Sequence, residues 1–226
     1  MQTEQSEIDQ SNPETLSNSA RVKSDAVSAE LYTRRKPRKH RSEMQLVEQA
    51  FGSLPEDGVE TVLDAPCGVG RLCVWLAQHG YRVTGVDLGE SAVKLSQDAL
   101  RQRGLPGQVE IHNIMAMDYA DRQFDCTVCF RLLHHFEKPE EKNRLIGELC
   151  RVSARFVVIS YFSPMSVTAL RRRLRRRVSG RPLKQYPDSL AALEQYFTQH
   201  GFRLYGEVKR SKILHSLQLA IFERTS

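Results

Sequence analysis

One short stretch, residues 60–73 (E-T-V-L-D-A-P-C-G-V-G-R-L-C), constrains the fold of this chain more than any other. An apolar run ends in an acid, Asp64, and a tight turn containing Gly68 and Gly70 follows. Residues 72–77 then have the apolar spacing of a helix. Glycines let the backbone approach a ligand, and a helix N-terminus offers free N–H groups. The stretch therefore predicts a strand, a glycine turn and a helix that together bind a nucleotide-type cofactor.

A second acid ends the next predicted strand, residues 81–87 (Y-R-V-T-G-V-D). A carboxylate at this place, Asp87, can accept hydrogen bonds from a pair of ribose hydroxyls. Ribose recognition also serves nicotinamide dinucleotides, and residues 68–73 come close to their G-x-G-x-x-G fingerprint. Asp64 favours a different ligand, because a carboxylate at the mouth of the turn would repel a pyrophosphate. It suits S-adenosylmethionine (SAM), which carries an ammonium and a sulfonium and no phosphate.

The glycine turn resembles motif I of the class I SAM-dependent methyltransferases, an acid followed by G-x-G-x-G, except that Pro66 replaces the first glycine. The run R-L-L-H-H-F that begins at Arg131 resembles the corresponding segment of small-molecule methyltransferases, including the ubiquinone-biosynthesis type. The resemblance implies a Rossmann-like α/β fold with a seven-stranded, mostly parallel sheet, an antiparallel C-terminal strand, and helices on both faces. It also implies that SAM is the cofactor and methyl transfer the reaction. The residues expected to bind SAM lie in the turn and at strand ends: Asp64, Ala65, Pro66, Cys67, Gly68, Gly70, Arg71, Asp87, Leu88, Asn113, Ile114, Met115 and Phe130.

Three residues after the fourth predicted strand, Arg131, His134 and His135, are expected to face the transfer position. A histidine there can take a proton from an oxygen nucleophile at neutral pH, although paired histidines before an aromatic are also often structural. The chain lacks the Asn/Asp-Pro-Pro-aromatic motif of enzymes that methylate exocyclic base nitrogens. We therefore expect transfer to an oxygen, or another nucleophile, of a small or lipid-linked anionic substrate.

In residues 166–181, the six arginines of Arg171–Arg177 surround a narrow apolar stripe at helical spacing. This pattern predicts a basic helix in an insertion at about residues 163–188. Such a helix can lie on an anionic membrane, bind phosphates, hold an acidic substrate, or be only a solvated surface. The basic segment from Tyr32 to Arg41 leaves a similar choice between a substrate contact and an exposed linker. Three alternative functions stay open: an RNA methyltransferase, a nicotinamide-dependent oxidoreductase, and a non-catalytic interaction protein with the same fold.

Composition sets the boundaries of the domain. A chain of 226 residues is long enough for one well-buried α/β domain, which we predict at residues 29–226. Residues 1–28 are rich in Gln, Ser, Asn and Glu and are predicted to be disordered. Because this tail is acidic while the whole chain has a net charge of +6, the domain is strongly basic and is expected to meet an anionic partner.

The five cysteines lie inside apolar segments. Cys126-x-x-Cys129 resembles half of a zinc site, but it falls in a predicted strand, where residues i and i+3 point to opposite faces. We therefore predict reduced core thiols, no metal site and a cytoplasmic protein. No apolar run reaches the ~18 residues of a membrane span, and no secretory pattern precedes the domain. Any membrane contact would be peripheral, at the inner face.

Overall fold

The computed structural model describes residues 37–55, 57–164, 185–209 and 217–225. The predicted tail at 1–28, Tyr32 and the Arg171–Arg177 helix lie outside these residues. The helices and strands, in chain order, are α1 (Pro37–Phe51), β1 (Thr61–Asp64), α2 (Arg71–Gln78), β2 (Arg82–Asp87), α3 (Glu90–Arg101), β3 (Gln108–Ile111), β4 (Phe124–Cys129), the 3-10 turn η1 (Leu133–His135), α4 (Pro139–Val152), β5 (Ser153–Phe162), α5 (Leu190–Gln199), β6 (Phe202–Lys209) and β7 (Leu217–Arg224).

The strands form one seven-stranded sheet in the order β3-β2-β1-β4-β5-β7-β6. Strands β1 to β5 pair in parallel, and β7 runs antiparallel to both β5 and β6. The predicted sheet, mostly parallel with an antiparallel C-terminal strand, is confirmed. The strand order reverses between β1 and β4, and open α/β sheets bind their ligands beyond the carboxyl ends of the strands at such a reversal.

Apolar helix faces cover both sides of the sheet, as predicted. Helices α1, α2 and α3 contribute Leu46, Leu76 and Val93 to the core on one side. Helices α4 and α5 contribute Ile146 and Phe197 to the core on the other side. Within the described ranges, no helix is long and apolar enough to cross a bilayer.

The cysteines belong to these cores. All five are free and buried. Cys126 lies in the core beneath α1 to α3, whereas Cys129, three residues later in β4, lies in the core beneath α4 and α5. The two thiols therefore face opposite sides of the sheet, and the prediction of core cysteines is confirmed.

Candidate functional site

The turn between β1 and α2 is fixed by backbone hydrogen bonds to both neighbouring strands. The Ala65 amide donates to the Val128 carbonyl of β4 at 2.9 Å, and the Cys67 amide donates to the Val86 carbonyl of β2 at 2.8 Å. The peptide bond between Ala65 and Pro66 is cis. The loop predicted to approach the ligand is thus anchored at the carboxyl edge of the sheet.

Two glycines let this turn fit against its surroundings, and a third lets the strand beneath it do so. Gly68 and Gly70 have φ angles of 54° and 77°, in the left-handed region that favours glycine. A Cβ on Gly70 would also lie 2.3 Å from the Oγ of Ser96 in α3. In β2, a Cβ on Gly85 would lie 2.6 Å from the Sγ of Cys73. Gly85 was not among the predicted site residues, because a lone glycine in a strand pattern does not reveal what approaches it.

Asp64 ends β1 with a carboxylate that is almost completely enclosed, with 1% of the residue exposed. Its Oδ2 accepts a hydrogen bond from the Cys73 thiol at 3.3 Å, while Oδ1 has no hydrogen-bond partner among the described residues. Burial raises the pKa of Asp64 to about 7, and the nearby charge of Asp87 adds to the increase. Because a buried carboxylate is costly without partners, this oxygen is suited to a positively charged hydrogen-bond donor.

Asp87 ends β2 and is also buried, with 9% exposed. Its two oxygens accept backbone hydrogen bonds, Oδ2 from Gly68 at 3.0 Å and Oδ1 from Gly89 at 2.9 Å. Burial raises the pKa of Asp87, and these hydrogen bonds moderate the increase. Each carboxylate oxygen keeps a second lone pair, so Asp87 can still accept ligand hydroxyls. The bond to Gly68 connects the second acid directly to the glycine turn.

The predicted adenine-binding residues follow Asp87 and β3. The His112 amide donates to the Asp87 carbonyl at 3.1 Å, which brings the loop after β3 to the end of β2. The Oδ1 of Asn113 accepts from the Met115 amide at 3.0 Å and closes a turn with an exposed side chain. Ile114 and Met115 are buried in the core under α4 and α5. The Leu88 side chain is 40% exposed, which leaves an apolar surface next to the Asp87 carboxylate.

A charged network from α1 lies over the same edge of the sheet. Glu43 is 3% exposed, and its Oε1 accepts a hydrogen bond from Arg131, which follows β4. Its Oε2 lies 3.5 Å from the Nη1 of Arg71, the first residue of α2. The predicted residues Arg71 and Arg131 are thus brought together by an acid that the sequence reasoning missed. The sequence feature that could have revealed Glu43 is its position on the apolar stripe of α1, one turn before Leu46 and Val47.

The two candidate histidines lie in η1, inside the protein. His134 and His135 are both buried, and their ring centroids are 4.2 Å apart. His134 also packs 4.2 Å from the Phe162 ring of β5, and its carbonyl accepts a hydrogen bond from the Tyr186 amide at 2.8 Å. Phe130, which precedes Arg131, is half-buried against the core under α1 to α3. A catalytic role for either histidine stays a prediction.

Part of the chain is similar to known methyltransferases. Residues 62–155 match the family model of a methyltransferase domain. The chain is 35% identical over 79 residues to the ubiquinone biosynthesis O-methyltransferase of Coxiella burnetii, covering 35% of this chain and 34% of that protein. It is 48% identical over 48 residues to the ribosomal RNA small subunit methyltransferase C of Alcanivorax borkumensis, covering 21% of this chain and 15% of that protein. The chain thus spans only a minor part of the length of these curated relatives.

Solved structures share the fold over a greater length. Magnesium protoporphyrin IX methyltransferase of Synechocystis PCC 6803, with bound SAH, has a TM-score of 0.66 at 21% identity and covers 83% of each chain. The PH0226 protein of Pyrococcus horikoshii has a TM-score of 0.69 at 19% identity, covering 86% of this chain and 98% of that one. The strand order agrees with this Rossmann-like fold, and the buried acids Asp64 and Asp87 lie at two neighbouring strand ends. Residues 62–155 are thus similar to a methyltransferase domain, and the chain shares the Rossmann-like fold of these solved structures.

Proposed function

We propose that this protein is an enzyme that binds SAM and transfers its methyl group to an oxygen of a small or lipid-linked anionic substrate. The observation that carries the proposal is the pair of buried carboxylates on either side of the glycine turn. Asp64 has an oxygen without a partner among the described residues, and Asp87 is bonded to the turn itself. A cationic ligand without phosphates, which also carries a ribose, satisfies both acids.

The residues present fit SAM as follows. Asp64 and the backbone of Gly68–Gly70 would hold the methionine end, with the ammonium near the unsatisfied carboxylate oxygen. Asp87 would accept the ribose hydroxyls. Asn113 and Ile114 would contact the adenine, with the exposed Leu88 side chain supplying apolar surface. When bound, SAM supplies a methyl group already activated by its sulfonium.

The chemistry left to the protein is alignment and exclusion of water, since the sulfonium needs no further activation. In this proposal, Arg131 would hold an anionic group of the acceptor. The proton of an acceptor hydroxyl would pass to solvent or to a histidine of η1. His135, with 7% of its surface exposed, is the better placed of the two because His134 is fully enclosed.

Calorimetry tests the cofactor first. The purified protein should bind SAM and the product S-adenosylhomocysteine (SAH), and it should not bind NAD. Binding of NAD without SAH would establish an oxidoreductase and refute the proposal. If SAH binds but no fraction of a cell extract accepts a methyl group, the alternative of a non-catalytic interaction protein gains.

The acceptor is tested by transfer of labelled methyl from SAM to fractions of a cell extract. The similarity to an O-methyltransferase supports an oxygen acceptor. Another relative, the norajmaline N-methyltransferase of Rauvolfia serpentina, is 30% identical over 113 residues, covering 47% of this chain and 38% of that protein, so the labelled product must be identified chemically. A labelled small acid or lipid bearing an O-methyl group is the expected result, and a product labelled only on nitrogen would contradict the oxygen assignment.

Transfer to RNA is the second candidate, favoured by the similarity to a ribosomal RNA methyltransferase and by the arginines of Arg171–Arg177. Replacing these six arginines with glutamine separates the possibilities. For an RNA enzyme, affinity for RNA should fall steeply with added salt and with the replacement, because phosphate contacts release counterions. For a lipid-linked substrate, the replacement should instead reduce sedimentation of the protein with anionic vesicles. Reduced sedimentation with vesicles would also support a peripheral location at the inner face of the membrane.

A further inference from the structure

Glu43 is an acid on an apolar helix face. Its neighbours one and two turns further along α1, Val47 and Ala50, are buried in the core that also contains Leu72 of α2. Residues three and four positions apart share one face of a helix, so Glu43 continues this stripe toward the site. A carboxylate at such a position is strongly unfavourable unless charged donors compensate it. The burial of Glu43 is therefore explained by the groups that contact its carboxylate.

Glu43 contacts two guanidinium groups, one at the start of α2 and one in the loop after β4. Arg131 donates to one carboxylate oxygen, and the Nη1 of Arg71 lies 3.5 Å from the other. The same Nη1 is 3.0 Å from the Nδ1 of His40, one turn before Glu43 on α1. Partial burial and the charge of Arg71 lower the pKa of His40, which favours a neutral ring that accepts from the arginine. Helix α1 thus connects Arg71, which follows the glycine turn, to the loop after β4.

Arg131 has an unusual backbone that fixes where its side chain begins. Its φ angle is 64°, a left-handed conformation that is disfavoured for any residue with a Cβ. Its amide donates to the Oγ of Ser160 in β5 at 2.5 Å, and its guanidinium donates to Glu43. Such a backbone persists when the surroundings hold it, and it is often found at ligand sites. Here the surroundings are one contact from β5 and one from α1, at the reversal of strand order.

We infer that Glu43 is a positioning residue for methyl transfer, which orients Arg131 to hold an acidic group of the methyl acceptor. The inference rests on the proposed function and deepens it, since it assigns the residues that select an anionic substrate. A fixed guanidinium presents paired donors to a carboxylate or phosphate, whereas a mobile one must be ordered at each binding event. Glu43 holds the Arg131 guanidinium in one orientation. Its contact with Arg71 also connects Glu43 to the glycine turn.

The experiment compares a charged probe with its uncharged analogue. Salicylate and salicylamide differ in the carboxylate, and each carries a hydroxyl. Each is titrated by calorimetry into the full chain saturated with SAH. The variants are Glu43→Gln, Glu43→Asp and Arg131→Gln, with Glu48→Gln as the matched control on an exposed position of the same helix. Fluorescence of the single tryptophan, Trp75, reports whether α1 stays packed, because its ring is 5.5 Å from the Phe51 ring of α1.

The expected result is a preference of the wild type for salicylate of about tenfold or more, in the range of one hydrogen bond to a charged group. Glu43→Gln and Arg131→Gln should lose this preference and keep the affinity for salicylamide. Glu43→Asp should restore part of it, and Glu48→Gln should behave as wild type. A purely structural role predicts instead that both probes weaken together and that Trp75 fluorescence changes, which overturns the inference.

Two further outcomes are decisive. If the wild type binds SAH but responds equally to both probes, including no response to either, the inference about Glu43 fails while the cofactor assignment stands. If the wild type does not bind SAH, the proposed function fails before the probes are added. The two failures are therefore distinguishable in the same series of titrations.

Discussion

Replacing Asp64 with asparagine should raise stability and lower cofactor affinity, and the stability effect should depend on pH. Burial holds the pKa of Asp64 at about 7 instead of 3.8. For an acid with a raised native pKa, the unfolded chain ionises first, so stability falls as pH rises from about 4 to about 7 and then levels off. The full difference corresponds to about 4 kcal/mol, at 1.36 kcal/mol for each tenfold change in the ionisation constant.

Asp64→Asn removes this ionisation while keeping a carbonyl oxygen that can accept from the Cys73 thiol. The loss or gain of other contacts on substitution does not vary with pH, so the comparison between two pH values isolates the charge. Between about pH 5 and pH 8, the free energy of unfolding of the variant relative to wild type should rise by about 3 kcal/mol. At the same time, SAM affinity at pH 8 should fall by about 1.5–3 kcal/mol, the range for a hydrogen bond to a charged group.

Urea unfolding followed by fluorescence at both pH values measures the stability, and calorimetry measures SAM binding. Asp125→Asn is the matched control of opposite sign. Burial disfavours ionisation of Asp125, but hydrogen bonds from the amides of Thr61 and Glu60 outweigh it and lower its pKa. Stability that depends on the Asp125 carboxylate is present above its unfolded pKa, so this control should be destabilised at both pH values. Parallel pH profiles for Asp64→Asn and wild type would refute the reasoning about the buried acid.

Further substitutions test the site and the packing that supports it. Asp87→Ala should weaken SAH binding by roughly 1.5–3 kcal/mol in calorimetry, and an unchanged dissociation constant would remove the ribose assignment. Gly70→Ala should lower the free energy of unfolding by more than about 2 kcal/mol, because the new Cβ would collide with Ser96 of α3. Gly68→Ala is the matched control, because a Cβ at Gly68 has no neighbouring atom within 4 Å, and it should lower the free energy of unfolding by only about 1 kcal/mol. Equal losses of unfolding free energy in the two variants would show that a steric collision is not the cause. Lys142→Ala should lower the free energy of unfolding by about 3–5 kcal/mol in urea, because the buried Asp188 carboxylate loses the Lys142 Nζ, which contacts it at 2.7 and 2.8 Å. Replacing Lys142 with Met and Asp188 with Leu together should cause a much smaller loss.

The sequence predicted the two acids of the site because each ends an apolar run and precedes a turn. Alternation of apolar and polar residues marks a strand, and the first polar residue after it marks the carboxyl end. This reasoning placed Asp64 and Asp87 at neighbouring strand ends, and the sheet confirms that β1 and β2 are adjacent. Such patterns involve only neighbouring residues, so they can be recognised without knowledge of the rest of the fold.

The same reasoning does not determine how the side chains after β4 are oriented. His134 and His135 lie buried in η1, and the Phe162 ring of β5 packs 4.2 Å from the ring of His134. Their role at the transfer position stays a prediction. A short turn has no apolar period, so its sequence does not tell which side chains face the protein interior. The orientation of each histidine depends on contacts with residues far away in the chain.

What the sequence determined by itself was the order of elements and the chemistry offered at the strand ends, since both follow from periodicity and residue type within a few positions. Only the tertiary structure decided that Glu43, Arg71 and Arg131 form one charged unit, and that Gly85 makes room for the Cys73 thiol. The physical reason is that burial and charge compensation join residues from separate elements. A buried carboxylate must find its partners wherever packing brings them, and no local pattern states which loops those will be.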